Sequence, residues 1–260
     1  MKKQGEELHM EWCYGLIAGL CAGSVINVIA YRLPQRLLNP DTGPDPFPSR
    51  SHCPGCKNIL YWYDNIPLLS WLLLRGKCRH CHQSISIRYP VIELITALLS
   101  LVMCSLLPFT PLLLAALLLS WTLLTLSIID IRDYLLPDAL SLPLLWGGLL
   151  LHCFALLPGT LDAAVSGAVA GYTSLALLSL GYRKLRHTDA LGMGDAKLLA
   201  ALGAWLGWEP LSIVLIIACC GGLLFGLISR ILWQRSFSRP IAFGPWLSLA
   251  GISLFINSII

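Results

Sequence analysis

Charge is what this chain has least of. Asp, Glu, Lys and Arg make up 12% of its 260 residues while 56% are hydrophobic, against roughly 25% charged in an ordinary soluble protein. That scarcity excludes a soluble globular domain for most of the chain and implies a polytopic membrane protein. Hydrophilic sequence is scarce too, and residues 32–89 form the one sizeable stretch of it. Familiar catalytic motifs are missing. There is no G-x-S-x-G, no H-E-x-x-H and no Walker loop, so serine, zinc-peptidase and P-loop chemistry have nothing to rest on. A glycine-rich nucleotide fingerprint is absent as well.

What is present is a series of apolar runs. Taking runs of 15 to 25 residues as spans gives about eight transmembrane helices, near 12–31, 91–107, 111–130, 135–157, 161–182, 194–208, 211–230 and 241–260. Pro210 is expected to break the sixth from the seventh, because proline cannot continue a helix. The run after Lys2 and Lys3 lacks a small-residue cleavage site before Arg32 and Arg36, so a retained span is expected rather than a signal peptide.

Eight spans place 16 of the 18 basic residues on one side. These are Arg32, Arg36, Arg50, Lys57, Arg75, Lys77, Arg79, Arg88, Arg132, Arg183, Lys184, Arg186, Lys197, Arg230, Arg235 and Arg239. The positive-inside bias makes that face cytoplasmic and leaves both termini outside. The fold class expected is therefore an all-α membrane protein with one cytoplasmic loop able to bind zinc.

That loop carries Cys53-Pro54-Gly55-Cys56 and, 21 residues on, Cys78-Arg79-His80-Cys81. Each C-x-x-C turn offers two thiolates, and two turns complete a tetrahedral zinc shell. A reducing cytosol disfavours disulfides instead. His52, His80 and His82 are possible substitutes for a cysteine ligand. Four protein ligands leave no open position, so such a metal is structural. Cys13, Cys21, Cys104, Cys153, Cys219 and Cys220 lie in apolar runs and read as small hydrophobes.

Small residues recur every fourth position at Gly15, Gly19 and Gly23, at Gly167 and Gly171, at Gly203 and Gly207, and at Gly222 and Gly226. Such stripes let helices approach closely in lipid. Asn27 is expected to hydrogen-bond to another helix. Glu93 either pairs with a nearby arginine or contributes to a second site.

Two acidic stretches stand where apolar runs end, Asp130–Asp138 and Gly192-Met193-Gly194-Asp195-Ala196-Lys197. A carboxylate at a membrane boundary is costly unless paired, hydrated or functional. Asp133 beside Arg132 reads as a solvated interfacial residue. Asp138 follows Pro137 at the positive end of a helix, a favourable structural position. Asp130, with Ile128 and Ile129 behind it, has no such explanation. The glycines before Asp195 are expected to keep the backbone bent or unwound. His187 and Asp189 read as solvated, and Lys197 as a contact to lipid phosphate, the alternative being the Asp195 charge. Two convergent aspartates would share one proton and split water against a peptide, with the helix dipole assigning the ionised role to Asp195.

At these residues the chain resembles the type IV prepilin leader peptidase/N-methyltransferase family, membrane aspartic proteases of the GxGD kind. The likeness covers essentially the whole chain. It includes the stretch from Gly23 to Pro34, Asp64 to Trp71, Ile85 to Pro90, Asp130 to Asp138 and Gly192 to Lys197. The resemblance implies Asp130 and Asp195 as the catalytic pair. It implies an N-terminal part, residues 1–107, bearing the first two spans and the tetracysteine loop and associated with methyl transfer. Residues 108–260 would form a six-helix peptidase core.

It further implies prepilin and pseudopilin substrates, cut after a glycine at the cytoplasmic face of the bacterial inner membrane, in pilus or type II secretion assembly. Many members with the tetracysteine loop also N-methylate the new terminus with S-adenosylmethionine. No position for that donor follows from the residues. Asp130, Asp133, Asp138, Asp189, Asp195 and Glu93 are expected to receive the basic leader while the basic loops meet lipid head groups. No nucleic-acid partner is expected. The alternatives are a peptidase without methylation and a non-enzymatic transporter or zinc-bearing scaffold, though acids gathered at one edge disfavour transport.

Overall fold

The computed structural model describes residues 2–39, 52–53, 55–186, 192–233 and 241–259, with side chains from residue 12 onward and without those of Arg186 and Trp233. The side chains of Lys2, Lys3 and Arg186, and the residues Arg50, Pro54, His187, Asp189, Arg235 and Arg239, lie outside the described part.

Helices dominate because most of the chain is Leu- and Ala-rich, and most of its prolines lie between the runs or at their first turns. They are α1 (Lys2–Leu38), α2 (Leu69–Leu73), α3 (Arg88–Leu106), α4 (Pro111–Asp133), α5 (Asp138–Cys153), α6 (Leu161–Arg186), α7 (Met193–Leu206), α8 (Leu211–Trp233) and α9 (Gly244–Ile259). Among the described residues the only β pairings are two isolated bridges, His52 with Ile59 and Lys77 with Ser84. Breaks fall where backbone chemistry requires them. Tyr134 takes a positive φ of 53° to end α4, and Pro137 stands at the N-cap of α5. Gly207, at φ 81°, closes α7, so the chain is indeed interrupted before Pro210.

A helix stands at each of the eight expected positions, but their lengths differ in what they permit. Five are long and apolar enough to cross a membrane: residues 12–38 of α1, α3, α4, residues 161–185 of α6, and residues 211–232 of α8. α5 and α9 have 16 residues each. α7 has 14, about 21 Å of helix against a hydrocarbon core of roughly 30 Å. α1 also runs past the expected end at residue 31, through Pro34 to Leu38.

The chain divides into two compact units, residues 1–121 and 122–260. In the first, α1 lies against α3 through its glycine stripe. A Cβ at Gly15 would stand 2.6 Å from Cys104 Sγ, one at Gly19 2.7 Å from Ala97 Cα, and one at Gly23 2.6 Å from Glu93 Cα. Backbones this close leave no room for a side chain, and dispersion over the whole face replaces what lipid would supply. At the end of the stripe Asn27 Nδ2 donates to Tyr89 O at 3.1 Å, the inter-helix bond expected of it. Trp121 donates to Ser100 Oγ at 2.9 Å.

In the second unit α7 is the central element. Its residues from Asp195 to Trp205 are buried, apart from the partly exposed Lys197. α6 reaches it at backbone distance, with a Cβ at Gly171 only 2.6 Å from Leu199 O and one at Gly167 2.5 Å from Gly203 O. On another side Trp205 Nε1 donates to Leu144 O of α5 at 2.8 Å, and its ring meets Phe255 of α9 edge-on at 5.8 Å. α7 is short because protein, not lipid, surrounds it.

Replacing Gly19 with valine tests the first of these contacts. Overpacking typically costs about 1–3 kcal/mol, so Gly19→Val should lower the thermal midpoint in detergent by several degrees, whereas an unchanged midpoint would mean the helices are not in backbone contact.

Candidate functional site

Asp130 lies near the end of α4, one turn before Tyr134 N–H bonds back to its carbonyl at 3.0 Å. The side chain is 6% exposed, yet it is not alone. The peptide N–H of Gly244, the first residue of α9, donates to Asp130 Oδ2 at 2.8 Å. A Cβ on Gly244 would stand 2.8 Å from that same oxygen and 3.2 Å from Leu136 Cδ2, so only glycine allows the approach. The helix start also offers Asp130 the positive end of a dipole.

Asp195 is the third residue of α7, 9% exposed. Its N–H bonds to Gly192 O at 3.1 Å, and a Cβ on Gly192 would stand 3.6 Å from its Oδ2. Oδ1 is buried with no hydrogen-bond partner among the described residues. Leu136 connects the surroundings of the two carboxylates, since its side chain fills the space beside both Gly194 and Gly244. Through Leu136 the structure places Asp130 and the Gly194–Asp195 corner in one neighbourhood.

Several neighbours differ from expectation. Gly194 is helical rather than unwound, and its missing Cβ is required by Leu136 Cβ at 2.9 Å. Lys197 does not pair with Asp195 among the described residues. Its Nζ bonds to both oxygens of Asp138, each at 2.7 Å. The reason is helical: positions two apart face different directions, so Lys197 turns toward the start of α5. Asp133 pairs with Arg132 at 2.8 Å. Glu93 Oε2 accepts the Leu68 N–H at 2.8 Å. Three acids expected to receive a leader are thus already engaged, and Asp189 lies outside the described residues.

Sequence reasoning passed over Gly244 and Leu136. Phe243-Gly244-Pro245, where a helix start opens the last apolar run, was the available signal.

In the first unit the four cysteines converge, with all sulfurs within 4.8 Å of one another. Cys53 Sγ is 3.7 Å from Cys81 Sγ and Cys56 Sγ 4.0 Å from Cys78 Sγ. A disulfide needs about 2.05 Å, whereas sulfurs at the corners of a zinc tetrahedron of 2.3 Å bonds stand about 3.8 Å apart. The spacing fits a metal. No histidine belongs to the cluster.

The two halves repeat each other with an offset of 25 residues. Cys53 N–H bonds to Asn58 O and Cys78 N–H to Gln83 O, both at 2.9 Å. Lys57 N–H returns to Cys53 O and His82 N–H to Cys78 O, with Lys57 and His82 both at φ 57°. Backbone N–H groups face the first thiol of each knuckle. That of Cys56 holds Cys53 down to about 7, and that of Cys81 lowers Cys78. An Asn58 N–H works in the same direction on Cys56, but desolvation and the other thiols outweigh it and push Cys56 up to about 11. Beside the knuckles, buried Asp64 accepts both Nε and Nη2 of Arg79, at 3.0 and 2.8 Å, with Arg79 stacked 5.2 Å above the Tyr63 ring.

Comparison with known proteins places this geometry. The family model described as the type IV leader peptidase family matches residues 117–227, and the bacterial peptidase A24 N-terminal domain matches residues 17–107. The chain belongs to the type IV leader peptidase family. A prepilin leader peptidase/N-methyltransferase of Pectobacterium carotovorum subsp. carotovorum is 45% identical over 266 residues, covering 95% of this chain and 94% of the relative. Its namesake in Aeromonas hydrophila is 46% identical, over 93% and 90%. One in Burkholderia pseudomallei (strain K96243) is 40% identical, over 93% and 84%. No solved structure matches. Family membership makes the chain an enzyme. Asp130 and Asp195 both fall in the peptidase match and the four cysteines in the N-terminal one.

Cys53→Ser removes one corner of the tetrahedron. Metal analysis of purified protein should find about one zinc per chain in the wild type and a large loss in the variant; wild-type protein without zinc would count against the site.

Proposed function

We propose that this protein cleaves the basic leader of prepilins or pseudopilins with Asp130 and Asp195, and then N-methylates the exposed terminus. The observation that carries the peptidase half is the convergence of two buried carboxylates, one held by a peptide N–H and the other with an oxygen left unpaired. Peptide hydrolysis needs one carboxylate and one carboxylic acid. The ionised member takes a proton from water while the water oxygen bonds to the scissile carbonyl carbon. The protonated member gives its proton to the carbonyl oxygen. The tetrahedral intermediate then breaks its C–N bond: the leaving amine takes up the proton first drawn from water, and one hydroxyl re-forms the carbonyl by returning its proton to the carboxylate that had protonated it. The proton belongs to the pair, not to either residue.

Gly244 positions Asp130 and α6 positions α7, so the reacting groups sit on packed helices rather than on mobile loops. The Asp138–Lys197 pair fixes the start of α5 to α7 beside Leu136. All eight helices matching the apolar runs cross or enter the membrane in this reading, with α7 enclosed by its neighbours. The asymmetry of the basic residues supports a cytoplasmic active site and termini on the periplasmic side of the inner membrane.

The N-terminal part, residues 1–107, is assigned to methyl transfer and residues 108–260 to cleavage. Zinc held by Cys53, Cys56, Cys78 and Cys81 is structural, closing a loop too small to bury a core of its own. S-adenosylmethionine, when bound, supplies the methyl group to the new amine. The names of the relatives support both halves of the activity.

Asp130→Asn and Asp195→Asn, each made singly, should lower cleavage of a co-expressed prepilin by roughly four orders of magnitude with normal membrane insertion. Substantial cleavage by either would end the dyad assignment. Mass spectrometry of the cleaved substrate decides the second activity: with S-adenosylmethionine supplied, the terminus should gain the mass of one methyl group, and its absence would leave a peptidase alone.

A further inference from the structure

The loop between α1 and α3 contains a segment that does not read as cytoplasmic. Residues 66–73, Ile66-Pro67-Leu68-Leu69-Ser70-Trp71-Leu72-Leu73, include α2, and their large apolar side chains are left open. Leu72 is 63% and Leu73 76% exposed, with Leu69 and Ile66 exposed beside them. Burying one leucine removes about 1.5–3 kcal/mol of unfavourable hydration, so a row of them in water would be costly.

Their depth is fixed by one bond. Leu68 N–H donates to Glu93 Oε2 at 2.8 Å, and Glu93 is more than a turn inside α3, a helix long enough to span a membrane. Glu93 in turn stands level with Gly23 of α1, whose Cβ position is 2.6 Å from Glu93 Cα. Gly23 lies nine residues, about 13 Å of helix, before the basic residue Arg32 at the end of the apolar run. Leu68 therefore ties the segment to α3 at the level of Glu93, where Val91 and Leu94 of α3 are also exposed.

Backbone chemistry agrees with that depth. Non-helical backbone at membrane level must satisfy its polar groups within the protein. Ser70 N–H bonds to Ile66 O, Leu72 N–H to Leu68 O, Leu74 N–H to Ser70 O and Gly76 N–H to Trp71 O. The indole of Trp71 donates to Ile85 O at 3.2 Å. Arg75 and Lys77 follow directly, and Arg88 opens α3, a cationic collar suited to anionic head groups.

We propose that residues 66–73 form a re-entrant membrane anchor, dipping below the phospholipid head groups beside α3 with their leucines against acyl chains. The metal-binding knuckles are thereby held down on the bilayer surface rather than suspended in the cytosol. This inference stands apart from the catalytic assignment.

The test uses full-length protein in phosphatidylethanolamine–phosphatidylglycerol vesicles, with Leu73→Trp and, as a water-facing control near the metal, Asn58→Trp. The added emission relative to wild type is followed with aqueous iodide and with lipid brominated near the top of its acyl chains. Brominated lipid should quench position 73, with an iodide constant several-fold lower than at 58, and the order should reverse at 58. Iodide quenching at 73 would place it in water. Protection from both quenchers would mean that protein covers it. Either result overturns the anchor. Retained zinc and an unchanged elution profile establish the fold, and Leu72→Trp repeats the measurement should Leu73→Trp fail them.

Discussion

A single hydrogen bond, from the peptide N–H of Gly244 to Asp130, joins two parts of the chain 114 residues apart. Much of the second unit is arranged to permit it. α4 must end where Asp130 can face the start of α9, and Tyr134 turns the chain at a positive φ soon afterwards. Leu136 is then carried into the space between Gly194 and Gly244, where any side chain on either glycine would collide with it. A buried carboxylate without such a donor would be expensive, and one with a bulkier donor would not fit. For the proposed reaction a backbone amide would serve well here, because it brings no charge of its own and would not reorganise.

The fold was largely legible in the sequence for a physical reason. In lipid every backbone group must be paired internally, so apolar runs become helices whatever their neighbours do. The small-residue stripes at Gly15, Gly19 and Gly23, and at Gly167 and Gly171, likewise found their partner helices. Span length was less legible, because apolarity does not distinguish a helix surrounded by lipid from one surrounded by protein. α7 is the instance: as oily as its neighbours, but short and enclosed.

The candidate site was legible in its side chains and hidden in its backbone. Asp130, Asp195 and the four cysteines announce themselves by chemistry that is out of place or by spacing. Gly244 acts through an N–H that every residue but proline possesses, so only the tight approach reveals it. Lys197 points to the same limit. Its sequence proximity to Asp195 suggests a pairing that helical geometry prevents, and the true partner, Asp138, lies 59 residues away. Glu93 and Leu68 are joined across a loop whose path the sequence does not disclose.

The enclosure of α7 has a bearing on how the protein is made. A 14-residue segment opening with an acid has little reason to leave the translocation machinery for lipid by its own affinity. α6 emerges first and carries Gly167 and Gly171, the grooves into which α7 fits. The two are best regarded as a hairpin that partitions together, with the earlier helix acting as an intramolecular chaperone for the later one. Assembly order then follows chain order, and two glycines set how closely the later helix can dock.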